Sequence, residues 1–348
     1  MCRAKLLEGK ALPSRRQGSS EPPGGPDLRH GRILLPSIAL LLTLSACSPV
    51  REPPRQPPPP PLPDPTTFAG SNALVDVTEF IKLGPRHSGT PGAKTAADYL
   101  LRKLEEIGLD AHVDEFTDKS PRGETVFRNV IGRLQGERQG SIILVSHYDT
   151  KAGVSDDFIG ANDSGSSTGL LLTLARFYRQ ADWHGPGLFF AFVDGEECME
   201  KYDRHDGLHG SRRLAKALKE GSLSPDVKAV IVVDMIGDRD LTVTIPRNSD
   251  PALRRIALRC AHDEGERLKF SLLSTGVIDD HVPFLEAGIP AIDLIDFHFG
   301  SAPGKNDYWH TPQDTLDKLS ADSLQIIGRV VIRMINELSR PGGPEENR

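Results

Sequence analysis

Seven ionisable residues stand out by type and spacing. They are His147 and Asp149 in His147-Tyr148-Asp149, Asp163 in Gly160-Ala161-Asn162-Asp163-Ser164-Gly165, Glu196 and Glu197 in Asp194-Gly195-Glu196-Glu197, Asp234, and His310 in Trp309-His310-Thr311. Imidazole nitrogen and carboxylate oxygen are donors that zinc takes readily, and a catalytic zinc keeps three protein ligands and one open position. Burying this many carboxylates without a cation is costly, because each must be neutralised or paired. Taken singly, a strand-end aspartate is often a helix cap and a lone histidine is usually a surface or core residue. Taken together, His147, Asp163, Glu197, Asp234 and His310 point to a metal.

The elements that must position them are legible as short apolar runs. Ile142–Ser146, Leu188–Val193, Ala229–Val233 and Ala291–Ile295 read as buried parallel strands. The first three run straight into His147, Asp194 and Asp234, and a loop after the fourth reaches His310. Helical patterns over 166–180, 211–220 and 251–268 separate the strands, and a last helix over 321–338 follows. Upstream, the turn-rich Gly84–Gly92 loop leads into a helix carrying Ala97, Leu101, Leu104 and Ile107 on one face and ending at Gly108. Two more strand candidates occupy 111–117 and 126–134. Strands alternating with helices predict an α/β three-layer sandwich on a mostly parallel twisted sheet. Ligands of such sheets bind at the carboxyl ends of the strands, where these residues cluster.

The ends of the chain differ from its middle. Arg29, His30 and Arg32 precede an apolar run, Ile33–Ala46, too short to span a membrane comfortably. It ends in Leu44-Ser45-Ala46-Cys47, which resembles a bacterial lipobox, so residues 1–47 read as an export signal with a lipid anchor on Cys47. The expected location is the membrane-anchored, periplasmic or extracellular face. Residues 48–65 are rich in proline and read as a semi-rigid spacer, 66–340 as the catalytic domain and 341–348 as a tail. Net charge is −6, with residues 1–46 at +4, so the remainder is acidic and unsuited to nucleic acid. Of the four cysteines, Cys198 and Cys260 read as free, buried thiols.

The ordered set H-x-D, N-D-S-G, G-E-E, V-D-M-I-G and W-H-T resembles the co-catalytic zinc exopeptidases, the superfamily of the leucyl aminopeptidases and the animal-type glutaminyl-peptide cyclotransferases. The resemblance runs from about Phe80 to Leu338 and implies the phosphorylase/hydrolase-like fold. In the cyclotransferases one zinc sits on the positions matching Asp163, Glu197 and His310. In the aminopeptidases His147 and Asp234 complete a second zinc site and Asp163 bridges the two. Glu196 matches the general acid/base of both branches.

Asp279-Asp280-His281-Val282-Pro283-Phe284-Leu285, the loop after Glu197 and Trp309 before His310 resemble the cyclotransferases more closely. The resemblance implies zinc-dependent conversion of N-terminal glutamine to pyroglutamate with release of ammonia. Peptide N-termini are the substrate, Trp309 and Tyr202 line the substrate pocket, and Asp234 and Asp279 assist Glu196 as neighbouring like charges. Three positions depart from the animal enzymes: Tyr202 replaces a tryptophan, Asp293 a histidine and Ser146 a cysteine. A di-zinc aminopeptidase is the alternative, and a non-catalytic binding domain on the same fold a remote one.

Overall fold

The computed structural model describes residues 6–7, 61–224 and 226–340. The leader, apart from a two-residue strand Leu6–Leu7 antiparallel to Gly276–Val277, lies outside the described residues, as do residues 48–60 and the tail 341–348.

Six strands build the central sheet: β1 (Asp110–Ser120), β2 (Gly123–Leu134), β3 (Arg138–His147), β4 (Pro186–Val193), β5 (Val227–Asp234) and β6 (Ala291–Ile295). Their order is β6-β5-β3-β4-β2-β1. The pairs β6–β5, β5–β3 and β3–β4 are parallel, and β4–β2 and β2–β1 are antiparallel. Successive side chains of a strand point to opposite faces. Ile142, Leu144, Phe190, Ile231 and Leu294 thus enter one apolar layer, and Ile143, Val145, Ala191, Val230 and Val232 the other.

The first layer is covered by α1 (Gly70–Ile81), α2 (Pro91–Ile107), α3 (Ser167–Gln180), α5 (Pro251–Asp263) and α7 (Ala321–Leu338). The second is covered by α4 (His209–Lys219) and α6 (His281–Glu286). The three-layer sandwich and mostly parallel sheet expected from the sequence are both present. Among the described residues no helix is long and apolar enough to cross a membrane.

Local differences have local causes. The helix expected over 251–268 stops at Asp263, because Gly265 takes a left-handed φ of 83°. Its amide bonds His262 O and the Glu266 amide bonds Ala261 O, a Schellman stop. The α1 helix adds an element not foreseen, although Ala73, Val77, Phe80 and Ile81 fall on one buried face. Ordered packing begins before Thr66, since Leu62 rests on the core and Asn336 Nδ2 donates to Pro63 O at 2.8 Å. Cys260 is free and buried as expected, whereas the buried Cys198 is disulfide-bonded and not a free thiol.

The β1 strand closes one side of the sheet and carries Asp110, Asp114, Glu115 and Asp118. Three of these pair sideways: Asp114 with Arg213, Glu115 with Arg128 and Asp118 with His209.

Candidate active site

Strand register brings the predicted ligands together. His147, the last residue of β3, is level with Val193 of β4. Val145 pairs with Val232 of β5, so His147 lies beside the terminal Asp234. Glu196 and Glu197 follow directly after β4. Asp163 projects from the irregular turn Ala161–Ser166 between β3 and α3, in which the Asp163–Ser164 peptide is cis.

Two clusters result, and Asp163 belongs to both. His147 Nε2 stands 3.1 Å from Asp163 Oδ1 and 3.3 Å from Asp234 Oδ1. His310 Nε2 stands 3.2 Å from Asp163 Oδ2 and 2.8 Å from Glu197 Oε1. A ring nitrogen carries at most one proton, so it cannot donate fully to two carboxylates at once. Among the described residues, buried Asp163 Oδ1 and Glu197 Oε2 have no hydrogen-bond partner in good alignment, only the charged neighbours His147 and Lys151. A tetrahedral zinc with bonds of about 2.0–2.1 Å separates its ligand atoms by about 3.3 Å. The spacings here, 2.8–3.3 Å, suit that ion in either cluster.

The electrostatics agree. Burial opposes charge on both histidines, yet Asp149, Asp163 and Asp234 hold His147 well above its usual range. Glu197 and Asp163 likewise raise His310 to about 9 against the pull of burial. Burial would raise Asp163, but the two imidazoles hold it well below the usual carboxylate range. Without a metal, protons on the histidines offset the carboxylates; a zinc ion would displace them.

Glu196 meets a folded-back loop. Its Oε1 accepts from Tyr202 OH at 3.0 Å, and the Glu196 and Glu197 amides donate to Asp149 at 3.2 Å each. The amides of Leu208, His209 and Gly210 return to the carbonyls of Glu196, Gly195 and Asp194. Asp206 ties the loop by accepting from the amides of Met199, Glu200 and Lys201. Gly207 has φ 78°, and a Cβ there would lie 2.6 Å from the Tyr202 ring, so only glycine lets the loop pass.

Trp309 is half-buried and stacks on His310, with ring centroids 4.1 Å apart. Its indole N–H donates to Asp163 Oδ2 at 2.9 Å, and its ring also meets Phe297 in a T-shaped contact with centroids 6.1 Å apart. Asp279 falls in a third, fully buried group with His281 and Asp293. Next to it, burial and the Asp279 charge raise Asp280 to about 7.

Besides Asp149, which stands out in the sequence beside His147, three supporting residues do not. Asp149 holds the Glu196–Glu197 backbone. Lys151 Nζ lies 3.5 Å from Glu197 Oε2. Asp314 accepts from the Asn162 and Asp163 amides, and Arg86 is wholly buried nearby. One of the three carries a signal: Asp314 stands four residues after His310. Arg86 carried none beyond its place in a turn-rich loop.

The family model for Peptidase family M28 matches residues 129–335, the stretch from β2 into α7 that carries every ligand named above. The chain belongs to peptidase family M28. Within that family its relatives include the glutaminyl-peptide cyclotransferase of Drosophila melanogaster, 28% identical over 278 residues, which span 71% of this chain and 76% of the relative. The solved glutaminyl cyclase of an Acidobacteriales bacterium is 34% identical, with a TM-score of 0.74, covering 82% of this chain and 98% of that one. A Zn-dependent exopeptidase from Parabacteroides distasonis is 25% identical, with a TM-score of 0.69, covering 79% of this chain and 99% of that one. The branch of the zinc exopeptidase-like fold expected from the motifs is therefore the one its relatives occupy.

Proposed function

We propose that this M28 family member is a zinc-dependent glutaminyl-peptide cyclotransferase that turns N-terminal glutamine of peptides into pyroglutamate and releases ammonia. The observation that carries the reading is the kinship with glutaminyl cyclases over nearly the whole of the solved bacterial enzyme. The open cluster of Asp163, Glu197 and His310 would hold the zinc, which supplies a Lewis acid to polarise the substrate's side-chain amide.

The rest of the chemistry falls to the protein. The substrate's α-amine attacks the carbonyl carbon of its own side-chain amide, forming the ring C–N bond, and the amide nitrogen leaves as ammonia. Because the nucleophile is already attached, binding needs only to orient it. Glu196 takes the proton released by the amine and passes it to the departing nitrogen, while Tyr202 OH holds its carboxylate in place. The Trp309 ring walls the pocket beside His310.

The test is incubation of the purified full chain with a glutamine-initiated dipeptide amide, following ammonia and pyroglutamate by mass spectrometry. Stoichiometric ammonia and pyroglutamate are expected. Glu196→Gln should retain zinc and lose about two to four orders of magnitude in turnover. Release of free N-terminal amino acids without pyroglutamate would sink the reading in favour of a di-zinc aminopeptidase. That second reading draws on one observation, the completeness of the His147–Asp163–Asp234 cluster.

Export and lipidation at Cys47 belong to the same proposal, on the strength of the Leu44-Ser45-Ala46-Cys47 tetrad. Labelled palmitate should enter the wild-type chain in a bacterial host and not Cys47→Ser; equal labelling of the two would refute the anchor.

A further inference from the structure

We propose that Arg86 and Asp314 are positioning residues that grip the Asp163 turn by opposite sets of backbone groups and so set the separation of Asp163 from His147 and His310. The turn needs outside help. Gly160 enters it at φ 50°, and Asp163, at φ −106° and ψ 86°, leaves helical geometry in its middle. Backbone groups there must find partners elsewhere, because buried ones are rarely left unpaired.

Arg86 takes the carbonyls. Its Nη1 donates to Gly84 O and Ile159 O at 2.9 Å each, Nη2 to Gly160 O at 3.5 Å, and Nε to Tyr148 O at 2.9 Å. Tyr148 follows the ligand His147, and Ile159 and Gly160 lead into Asp163. One planar fork therefore ties the end of β3 to the approach of the turn. The Arg86 guanidinium also lies 4.6 Å from the centroid of the Phe80 ring. Its rigid spread of donors matches carbonyls on separate segments, which a lysine's single ammonium cannot do from one position.

Asp314 takes the amides. Its Oδ1 accepts from Asn162 N at 2.6 Å and its Oδ2 from Asp163 N at 3.1 Å. The Asp314 amide itself donates to Thr311 O at 3.1 Å, in the loop that carries His310. The carboxylate thus couples the turn to the third ligand of the open cluster. Neither residue faces substrate; both act through Asp163.

The inference rests on the metal reading above, and its test separates the two. Zinc affinity of the full chain is measured by chelator competition for wild type, Arg86→Lys, Asp314→Asn and the double variant. Amide hydrogen exchange of the zinc-free forms is followed in parallel. Each single variant should bind zinc about 10–100-fold more weakly. The double variant should lose less than the product of the two, because both act on one turn. In Asp314→Asn the Asn162 and Asp163 amides should lose protection while the central sheet keeps it. Zinc affinity within twofold of wild type in both single variants overturns the proposal. So does loss of protection throughout the sheet, since the effect would then lie in folding. Failure of the wild-type chain to bind zinc would overturn the metal reading itself, and the grip with it, before any variant is made.

Discussion

The two ligand clusters share Asp163 and a common donor set, yet they differ in access. The side chains of His147, Asp163 and Asp234 are each 1% exposed. The His310 side chain is 15% exposed and stacks against the half-buried Trp309. Both would coordinate zinc by their spacing, but of the two only the second is partly exposed, at His310. A cluster closed on all sides can tune charge or hold a second ion; an open one can meet substrate at its free position.

Asp163→Asn strikes both clusters and should have the largest effect: no stoichiometric zinc by metal analysis, and cyclisation slower by about a thousandfold or more. Next, His310→Ala and His147→Ala set the clusters against each other. His310→Ala should match Asp163→Asn in both metal content and rate. His147→Ala should keep one zinc per chain and lose only about 10–100-fold, the range for residues that support a metal site without ligating the catalytic ion. Equal loss of zinc and rate in the two variants would erase the distinction and favour the two-metal peptidase. The smallest effect belongs to Tyr202→Phe, which removes a hydrogen bond to the Glu196 carboxylate. A fall in kcat of about tenfold with little change in KM is expected. A change confined to KM would return Tyr202 to the simple pocket-lining role read from the sequence.

Much of this was legible in the chain. Each apolar run of a buried parallel strand ends where the polarity changes, so His147, Asp194 and Asp234 mark the rim in the sequence itself. Parallel pairing then guarantees that residues ending adjacent strands become neighbours, as His147 and Asp234 do. The residues that stayed hidden work through backbone groups. Arg86 and Asp314 bind carbonyls and amides of a turn, and such contacts leave no periodicity in the sequence. The resemblance puts Tyr202 near the substrate, but its bond to Glu196 depends on how the loop after Glu197 folds back over Gly207. The resemblance implies Asp279 as a neighbouring charge of Glu196; its grouping with His281 and Asp293 comes with the packing of α6 against β6, which no periodicity announces.

The acidic edge strand has a consequence of its own. A long strand at the side of a sheet offers unpaired backbone groups to any similar strand it meets, the ordinary route to edge-to-edge aggregation. Here β1 presents Asp110, Asp114, Glu115 and Asp118 along eleven residues. Two copies pairing antiparallel about Asp114 would set Asp110 against Asp118 and Asp114 against its own counterpart. Part of that charge is engaged sideways by Arg128, Arg213 and His209, so the repulsion is moderated within one molecule. Between molecules it remains, and it fades as added salt screens it. The strand farthest from the metal-binding rim in sheet order thus carries its own safeguard for solubility, independent of the chemistry at the other strand ends.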